Sequence, residues 1–227
     1  KVREAIAHAI NVDVLIKHRQ KGHSVRAAGV LPPGSPYASP STPPAYDPAQ
    51  AKRLLDEAGY PEKEGGRFTL TYKTSTDRAG VIQARVVQAD LRKVGITVDV
   101  RSYEWATFYD DIQRGNFQLF SLRWIGVMDP DFQYELFHSK RAPPEGRNRG
   151  RYANPEMDQL LEAGRMEGDP AKRKAEYQRV DALLQRDLPY VSLWHNNTVA
   201  IVSKRFTGFR LHPTGGFQHL PEMRPTQ

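Results

Sequence analysis

The residues of this chain best suited to chemistry lie between positions 117 and 158. An apolar run at residues 117–122 predicts a buried strand, and a polar loop with a large aromatic side chain follows it. The candidate ligand-binding side chains here are Arg123, Trp124, Ile125, Gly126, Asp129, Arg147 and Asn148. An aromatic ring beside hydrogen-bonding groups, at the carboxyl end of a strand in an α/β sheet, suits the binding of a small polar molecule.

Several of these side chains also have a purely structural interpretation. Trp124 can be a platform for a ligand, or a core or interface aromatic. Arg123 can pair with a carboxylate or phosphate of a ligand, or remain a surface residue at the end of a strand. Asp129 precedes a proline and suits a turn. Together with Arg149 and Arg151, Arg147 and Asn148 form a cluster that can attract an anion, or they belong to a solvated loop that braces the next helix.

The motif content favours binding over catalysis. The chain contains no phosphate-binding loop, no serine-hydrolase motif and no dinucleotide-binding glycine pattern. It has no cysteine, which excludes disulfides, thiolate metal sites and cysteine nucleophiles. The histidines are spread out without a metal-binding motif. We therefore expect no cofactor, no metal site and no enzymatic activity.

A β-α-β-α-β pattern positions the candidate site. Strands and helices alternate in the predicted ranges 68–72, 82–94, 96–100, 105–112 and 117–122. Strands connected through helices pair in parallel with right-handed crossovers. The pattern predicts an α/β fold with a mainly parallel sheet flanked by helices.

Other elements surround this unit. Helices are predicted to start where an N-capping residue precedes a proline, at Asp47, Asn154 and Asp169. Residues 29–46 contain six prolines, counted at positions 32, 33, 36, 40, 43 and 44, and are predicted to form a long ordered loop. Two further strands are predicted at residues 190–194 and 198–202.

The length and composition allow one large domain, or one lobe with an appendage, in 227 residues and 25.8 kDa. No run approaches the roughly 18 apolar residues of a membrane span. The sequence opens inside an amphipathic helical pattern, without an initiator Met or a signal peptide. We expect a piece of a longer precursor, so the missing signal carries no information about location.

The net charge of +7, with a pI near 9.6, raises the alternative of a nucleic-acid-binding module. The basic residues are scattered, however, and most fall on the polar faces of predicted helices. We therefore expect no nucleic-acid partner. The other alternative is an α/β enzyme whose site the sequence does not reveal.

Several stretches carry a family resemblance through their order along the chain. They lie at residues 2–10, 31–33, 46–55, 58–60 and 91–96, around Trp124, and at residues 148–158. In this order they resemble the C-terminal half of a family 5 extracellular solute-binding protein. That family includes the oligopeptide, dipeptide and nickel receptors of bacterial ABC transporters. The resemblance extends over nearly the whole chain.

The resemblance implies a periplasmic-binding-protein-like fold of type II. Residues 1–195 would form the second, C-terminal lobe, and residues 196–227 would recross toward a first lobe that is largely absent from this sequence. A peptide or other small solute would bind between two lobes that close about a hinge. The implied partner is the membrane permease of an ABC transporter, and the implied protein is a monomer in the periplasm or on the extracellular face of the membrane.

One departure from the family pattern concerns the loop after Trp124. In the family, an acidic residue just after this tryptophan often pairs with the amino terminus of a peptide. Residues 125–128 contain no acid here, and the loop is shorter. Asp129 could take that place if the loop geometry differs.

Overall fold

The computed structural model describes residues 1–125, 129–212 and 215–226. Its α-helices are α1 (Val2–Ala9), α2 (Val12–Val14), α3 (Pro48–Glu57), α4 (Arg78–Arg92), α5 (Trp105–Arg114), α6 (Phe132–Phe137), α7 (Pro155–Met166) and α8 (Pro170–Asp187). Its strands are β1 (Ser24–Arg26), β2 (Phe68–Ser75), β3 (Ile96–Tyr103), β4 (Leu119–Phe120), β5 (Trp194–Asn196), β6 (Phe206–Thr207) and β7 (Arg224–Pro225). A π-helix at Leu15–Arg19 and short 3-10 turns at Ser139–Arg141 and Leu220–Glu222 complete the set.

The central sheet is parallel, in the order β3-β2-β4. β2 and β3 pair along their full length, from Phe68 opposite Ile96 to Ser75 opposite Tyr103. β4 pairs with the other side of β2 through two residues. Helix α4 connects β2 to β3, and α5 connects β3 to β4. The predicted α/β fold, with a parallel sheet flanked by helices, is confirmed.

The predicted helix starts are also confirmed. The Asp47 carboxylate accepts a hydrogen bond from the backbone N–H of Gln50, with a proline in the first turn of α3. Asn154 and Asp169 cap α7 and α8 in the same way. A side chain that satisfies the free N–H groups of a first turn fixes the point at which a helix begins, whatever the tertiary contacts.

Three strand predictions differ from the structure. β4 has two residues instead of the six expected at 117–122. The strand expected at 190–194 is found instead at Trp194–Asn196, where it pairs antiparallel with β1. Residues 198–202 are not a strand, and Ile201 is 99% exposed. Apolar runs predict strands only where a pairing partner exists, and partners are chosen by long-range contacts.

Two hydrophobic clusters hold these elements together. The first joins α1, α3 and α4 to the sheet, with Leu55, Leu91 and Ile96 fully buried. The second joins α6, α7 and α8, and the half-buried Trp124 packs against it. The polar loop after β4 therefore passes from the first cluster to the second. Within the described ranges, no helix combines the length and apolar character needed to cross a membrane.

A candidate ligand-binding site at the carboxyl edge of the sheet

The three parallel strands end at one edge of the sheet. β2 ends at Ser75, β3 at Tyr103 and β4 at Phe120, and the shared direction brings these ends together. In an open α/β sheet this edge is where ligands bind. Trp105 follows the end of β3 by two residues, and Trp124 follows the end of β4 by four.

Trp124 lies between another aromatic ring and two arginines. Its ring meets that of Phe132 edge-on, with centroids 5.1 Å apart. The guanidinium carbon of Arg149 lies 4.8 Å from the Trp124 ring centroid, and that of Arg147 lies 5.9 Å away. The packing interpretation of Trp124 therefore holds, because the ring packs on a core cluster and stays half-buried at the sheet edge; its role as a platform for a ligand stays a prediction.

Arg149, Tyr109 and Trp105 extend this arrangement. The sequence placed Arg149 in an anion-attracting stretch, but it did not point to Tyr109 or Trp105 as site residues. The guanidinium of Arg149 lies 5.3 Å from the Tyr109 ring and donates to the Tyr109 hydroxyl at 3.3 Å. The Tyr109 ring stacks on Trp105 at 5.5 Å and 14°. Trp105 is 56% exposed. Trp105, Tyr109, Arg149, Trp124 and Phe132 thus form a continuous aromatic–arginine row.

A sequence signal existed for part of this row. Trp105 and Tyr109 are four residues apart on α5, so they lie on the same helix face. Arg149 belongs to the arginine-rich stretch at residues 147–151. Its residue type and its position in this stretch do not distinguish it from the exposed arginines, so the sequence does not predict that its side chain is buried. In the structure Arg149 is 4% exposed, whereas Arg147 is exposed.

Arg123 and Ile125 flank Trp124 in the loop. Both side chains are exposed, and Ile125 is 74% exposed. Gly126, the next residue of the predicted site, lies outside the described residues. Of the predicted site residues, the structure brings Arg147 and Trp124 together, and it leaves Arg123 and Ile125 exposed on either side of Trp124 in the loop.

Asn148 is directed into the protein, with 1% of its surface exposed. Its amide nitrogen donates to the carbonyls of His138 at 3.1 Å and Tyr152 at 2.7 Å. Its amide oxygen accepts the backbone N–H of Tyr152 at 2.9 Å. Asn148 therefore fixes the path of the chain that carries Arg147 and Arg149.

Asp129 is engaged by Arg173. Two hydrogen bonds at 2.8 and 3.1 Å join the Arg173 guanidinium to the Asp129 carboxylate. These bonds hold the pKa of Asp129 below its ordinary value. Arg173 also donates to the Tyr37 hydroxyl at 3.3 Å. The proline-rich loop at residues 29–46, the segment after Trp124 and helix α8 are thereby held together.

A buried polar contact supports the start of the Trp124 loop. The side-chain nitrogen of Gln83 on α4 donates to the Ser121 hydroxyl at 2.6 Å, directly after β4. The neighbouring Tyr72 hydroxyl is buried, and this burial raises the pKa of Tyr72 to about 12. Hydrogen-bonded groups inside the protein restrict the loop at the point where it leaves the sheet.

A mainly apolar depression of about 480 Å³ lies next to the end of β2, between the π-helix and the first turns of α4. Arg19 lines it, with its guanidinium 5.4 Å from the Trp194 ring. Burial lowers the pKa of Arg19, an effect that Asp77 opposes. The carboxyl edge therefore carries a concave surface beside β2 and the aromatic–arginine row beside β4. In the described parts of the chain, no group of three or more histidine, aspartate or glutamate side chains is arranged to hold a metal ion.

Residues 1–144 match the family model described as bacterial extracellular solute-binding proteins, family 5 Middle. The chain belongs to this family. One similar relative is the glutathione-binding protein GsiB of Escherichia coli strain K12, which is 30% identical over 224 residues. The match covers 96% of this chain and 43% of GsiB, so the chain spans less than half the length of that relative.

Solved structures of two peptide-binding proteins share the fold. The periplasmic binding protein DppA of Helicobacter pylori, in complex with the peptide STSA, is 29% identical with a TM-score of 0.81. The match covers 99% of this chain and 44% of DppA. The dipeptide-binding protein of Pseudoalteromonas sp. SM9913, in complex with Met-Leu, is 30% identical with a TM-score of 0.79, over 99% of this chain and 45% of that protein. The expected type II periplasmic-binding-protein fold is thereby confirmed.

Proposed function

We propose that this protein is the substrate-binding component of a bacterial ABC importer, and that it binds peptides or a similar small polar solute. The observation that carries the proposal is the aromatic–arginine row at the carboxyl edge of a parallel sheet, in a chain of the family 5 solute-binding proteins. Aromatic rings with a few convergent polar groups are typical of small-molecule sites. The relatives named above are binding proteins, and we propose a binding rather than an enzymatic role here.

The proposed cleft has two walls. Residues 1–195 form one lobe, and residues 196–227 recross toward a second. Large apolar side chains of that last segment are exposed in the described chain, among them Val199, Ile201 and Phe217. Exposed apolar side chains gathered in one segment are typical of a surface that other protein covers.

In this proposal the lobes close about a hinge around the solute, and the closed form docks on the membrane permease. The protein acts as a monomer in the periplasm or on the extracellular face of the membrane, without a nucleic-acid partner. Most of a ligand's surface is buried in a binding site, so a single wall would bind weakly. We expect the 227-residue chain alone to bind its solute poorly.

The proposed ligand contacts are Arg123, Trp124, Ile125, Gly126 and Arg147. Asn148 acts indirectly: its hydrogen bonds to backbone groups fix the loop that carries Arg147. Asp129 can meet a ligand amine only by sharing its carboxylate with Arg173, since both oxygens already accept hydrogen bonds.

The test is calorimetric titration of the complete protein with di- to tetrapeptides and with reduced glutathione. We expect at least one probe to bind, and Trp124→Ala to weaken that binding by roughly tenfold or more, because it removes the central ring of the row. Met166→Ala is the control, since that side chain is 85% exposed at the end of α7. Trp124→Leu retains more of the packing on Phe132 if the alanine variant folds poorly.

The titration has one result that supports the proposal and two that refute it. Binding that is lost in both Trp124 variants and kept in Met166→Ala supports the proposal. A wild-type protein that binds none of the probes, or binds DNA with an affinity that falls steeply with salt, refutes it.

A further inference from the structure

Arg149 is a buried cation without an acidic partner. The residue is 4% exposed, and no described carboxylate lies within ion-pair distance of its guanidinium. Moving a charge out of water is costly unless an opposite charge or several hydrogen bonds compensate it. A buried arginine in a folded protein is therefore usually paired, and Arg149 departs from that rule.

The acids on the helices and segments next to Tyr109 and Trp124 are already paired. Carboxylates on α5, on α6 and in the segment before α6 pair with other cations. These ion pairs are Asp110–Arg114, Asp111–Lys73, Asp129–Arg173, Asp131–Arg165 and Glu135–Arg141. Glu104 and Glu145 are exposed and form no ion pair with a described residue, so none of these acids compensates the charge of Arg149.

The aromatic rings compensate the charge only in part. Trp124 and Tyr109 lie 4.8 and 5.3 Å from the guanidinium carbon, and cation–π attraction stabilises the cation. A guanidinium has five N–H donors in one plane. Among the described residues, the Arg149 guanidinium donates one hydrogen bond, to the Tyr109 hydroxyl. That planar fork matches a carboxylate, which accepts two parallel hydrogen bonds.

The Tyr190 hydroxyl is a second hydrogen-bond donor without a partner among the described residues, and it lies close enough to Arg149 to be affected by its charge. This hydroxyl is buried. Burial raises the pKa of Tyr190 to about 12, and the charge of Arg149 acts in the opposite direction. A neutral hydroxyl and an unpaired guanidinium in one region both suit an oxygen acceptor.

The surface around Arg149 is also positive. Arg123, Arg147 and Arg151 are exposed, and none of them forms an ion pair with a described residue. Clustered charge of one sign at a cleft raises the local concentration of ions of opposite sign. The exposed arginines would attract an anion, and the buried one would hold it.

We propose that Arg149 is the anion-binding residue of this site, and that the solute carries a carboxylate group; this inference rests on the proposed function. The carboxylate completes the ion pair that the chain itself does not supply. Trp124 and Tyr109 orient the guanidinium for that contact. The ligand class is thereby narrowed to acidic solutes such as peptides with a free carboxyl terminus.

The test compares matched ligands that differ only in that charge. Met-Leu and Met-Leu amide form one pair; reduced glutathione and its glycine ethyl ester form the other. We expect the complete wild-type protein to bind the free acid of at least one pair roughly tenfold or more tightly than its neutral partner. In Arg149→Met this ratio should fall to about one. Arg149→Lys keeps the charge and loses the fork, so an intermediate ratio is expected.

Arg165→Met is the matched control, because Arg165 also lies over a ring, that of Tyr134 at 4.1 Å, but is paired with Asp131. It should keep the wild-type ratio. Because each ratio is measured on one variant, a loss of folded protein does not alter it. Equal binding of acid and neutral ligand by the wild type, or an unchanged ratio in Arg149→Met, overturns the carboxylate inference and leaves the binding function standing. Failure of all four probes to bind overturns the carboxylate inference, and the binding function is overturned as well if no di- to tetrapeptide binds.

Discussion

Substitution of Asn148 tests whether this residue holds the site together or touches the solute. Its side-chain amide makes three hydrogen bonds to backbone groups of His138 and Tyr152, at 3.1, 2.7 and 2.9 Å. All of them lie in a part of the fold that excludes water, since Asn148 is 1% exposed. They join the end of α6 to the segment that leads into α7.

The expected magnitude follows from these contacts. A hydrogen bond contributes about 1 kcal/mol net, so Asn148→Ala should lower the free energy of unfolding by about 3 kcal/mol. Asn148→Asp has nearly the same volume but loses both N–H donors and sets a charge against two carbonyl oxygens. We expect it to be destabilised at least as much at pH 7, and less at about pH 4, where a protonated carboxyl regains one donor.

Urea unfolding followed by circular dichroism measures these differences by linear extrapolation. Asn116→Ala is the control, because Asn116 is exposed and donates to the Asp111 carboxylate at 2.7 Å. It should stay within about 0.5 kcal/mol of the wild type. An Asn148→Ala protein of wild-type stability would refute the reasoning, and if it also lost solute binding, Asn148 would be a ligand contact. An aspartate variant more stable than the alanine variant at pH 7 would contradict the donor assignment.

Two further predictions concern helices α7 and α8. In Gly164→Ala the new Cβ would lie 2.9 Å from a ring carbon of Tyr177, so we expect the free energy of unfolding in urea to fall by roughly 1–3 kcal/mol. Gly168→Ala is the control, because its Cβ would meet nothing within 4 Å and should leave stability nearly unchanged. Hydrogen bonding from Arg186 lowers the pKa of Asp187 to about 2. A depressed carboxyl pKa stabilises the fold above the unfolded value of about 4, and this contribution is lost as the pH falls toward 2. Asp187→Asn should therefore flatten the dependence of unfolding on pH in that window, and an unaltered slope would contradict the assignment.

The local features of this protein follow from short stretches of its sequence. The helix starts at Asp47, Asn154 and Asp169 were predicted correctly, because a cap is a contact between residues two or three positions apart. The spacing of apolar residues predicted which segments are strands and which are helices. Because strands joined through helices pair in parallel, this alternation also predicted the parallel sheet. The order of the short motifs indicated the family.

Part of the site was also within reach of the sequence. Trp124 was selected because it follows a strand at the edge where ligands bind. Both Arg147 and Arg149 lie over its ring, but the sequence could not tell which of them is buried there, because they have the same side chain and nearly the same position along the chain. Only the packed structure buries Arg149 against Tyr109, which lies 40 residues earlier.

Tertiary structure also decided the charge pairing and the strand partners. Arg173 lies 44 residues beyond Asp129, yet its two hydrogen bonds occupy the acid that the sequence offered for a ligand amine. Trp194 belongs to a strand in which Arg26 is its partner, whereas residues 198–202, which are also mostly apolar, do not form a strand. Contacts between residues that are close in the sequence can be predicted from those residues alone. The choice of distant partners depends on how the whole chain packs, and that choice gives this site an arginine without an acid.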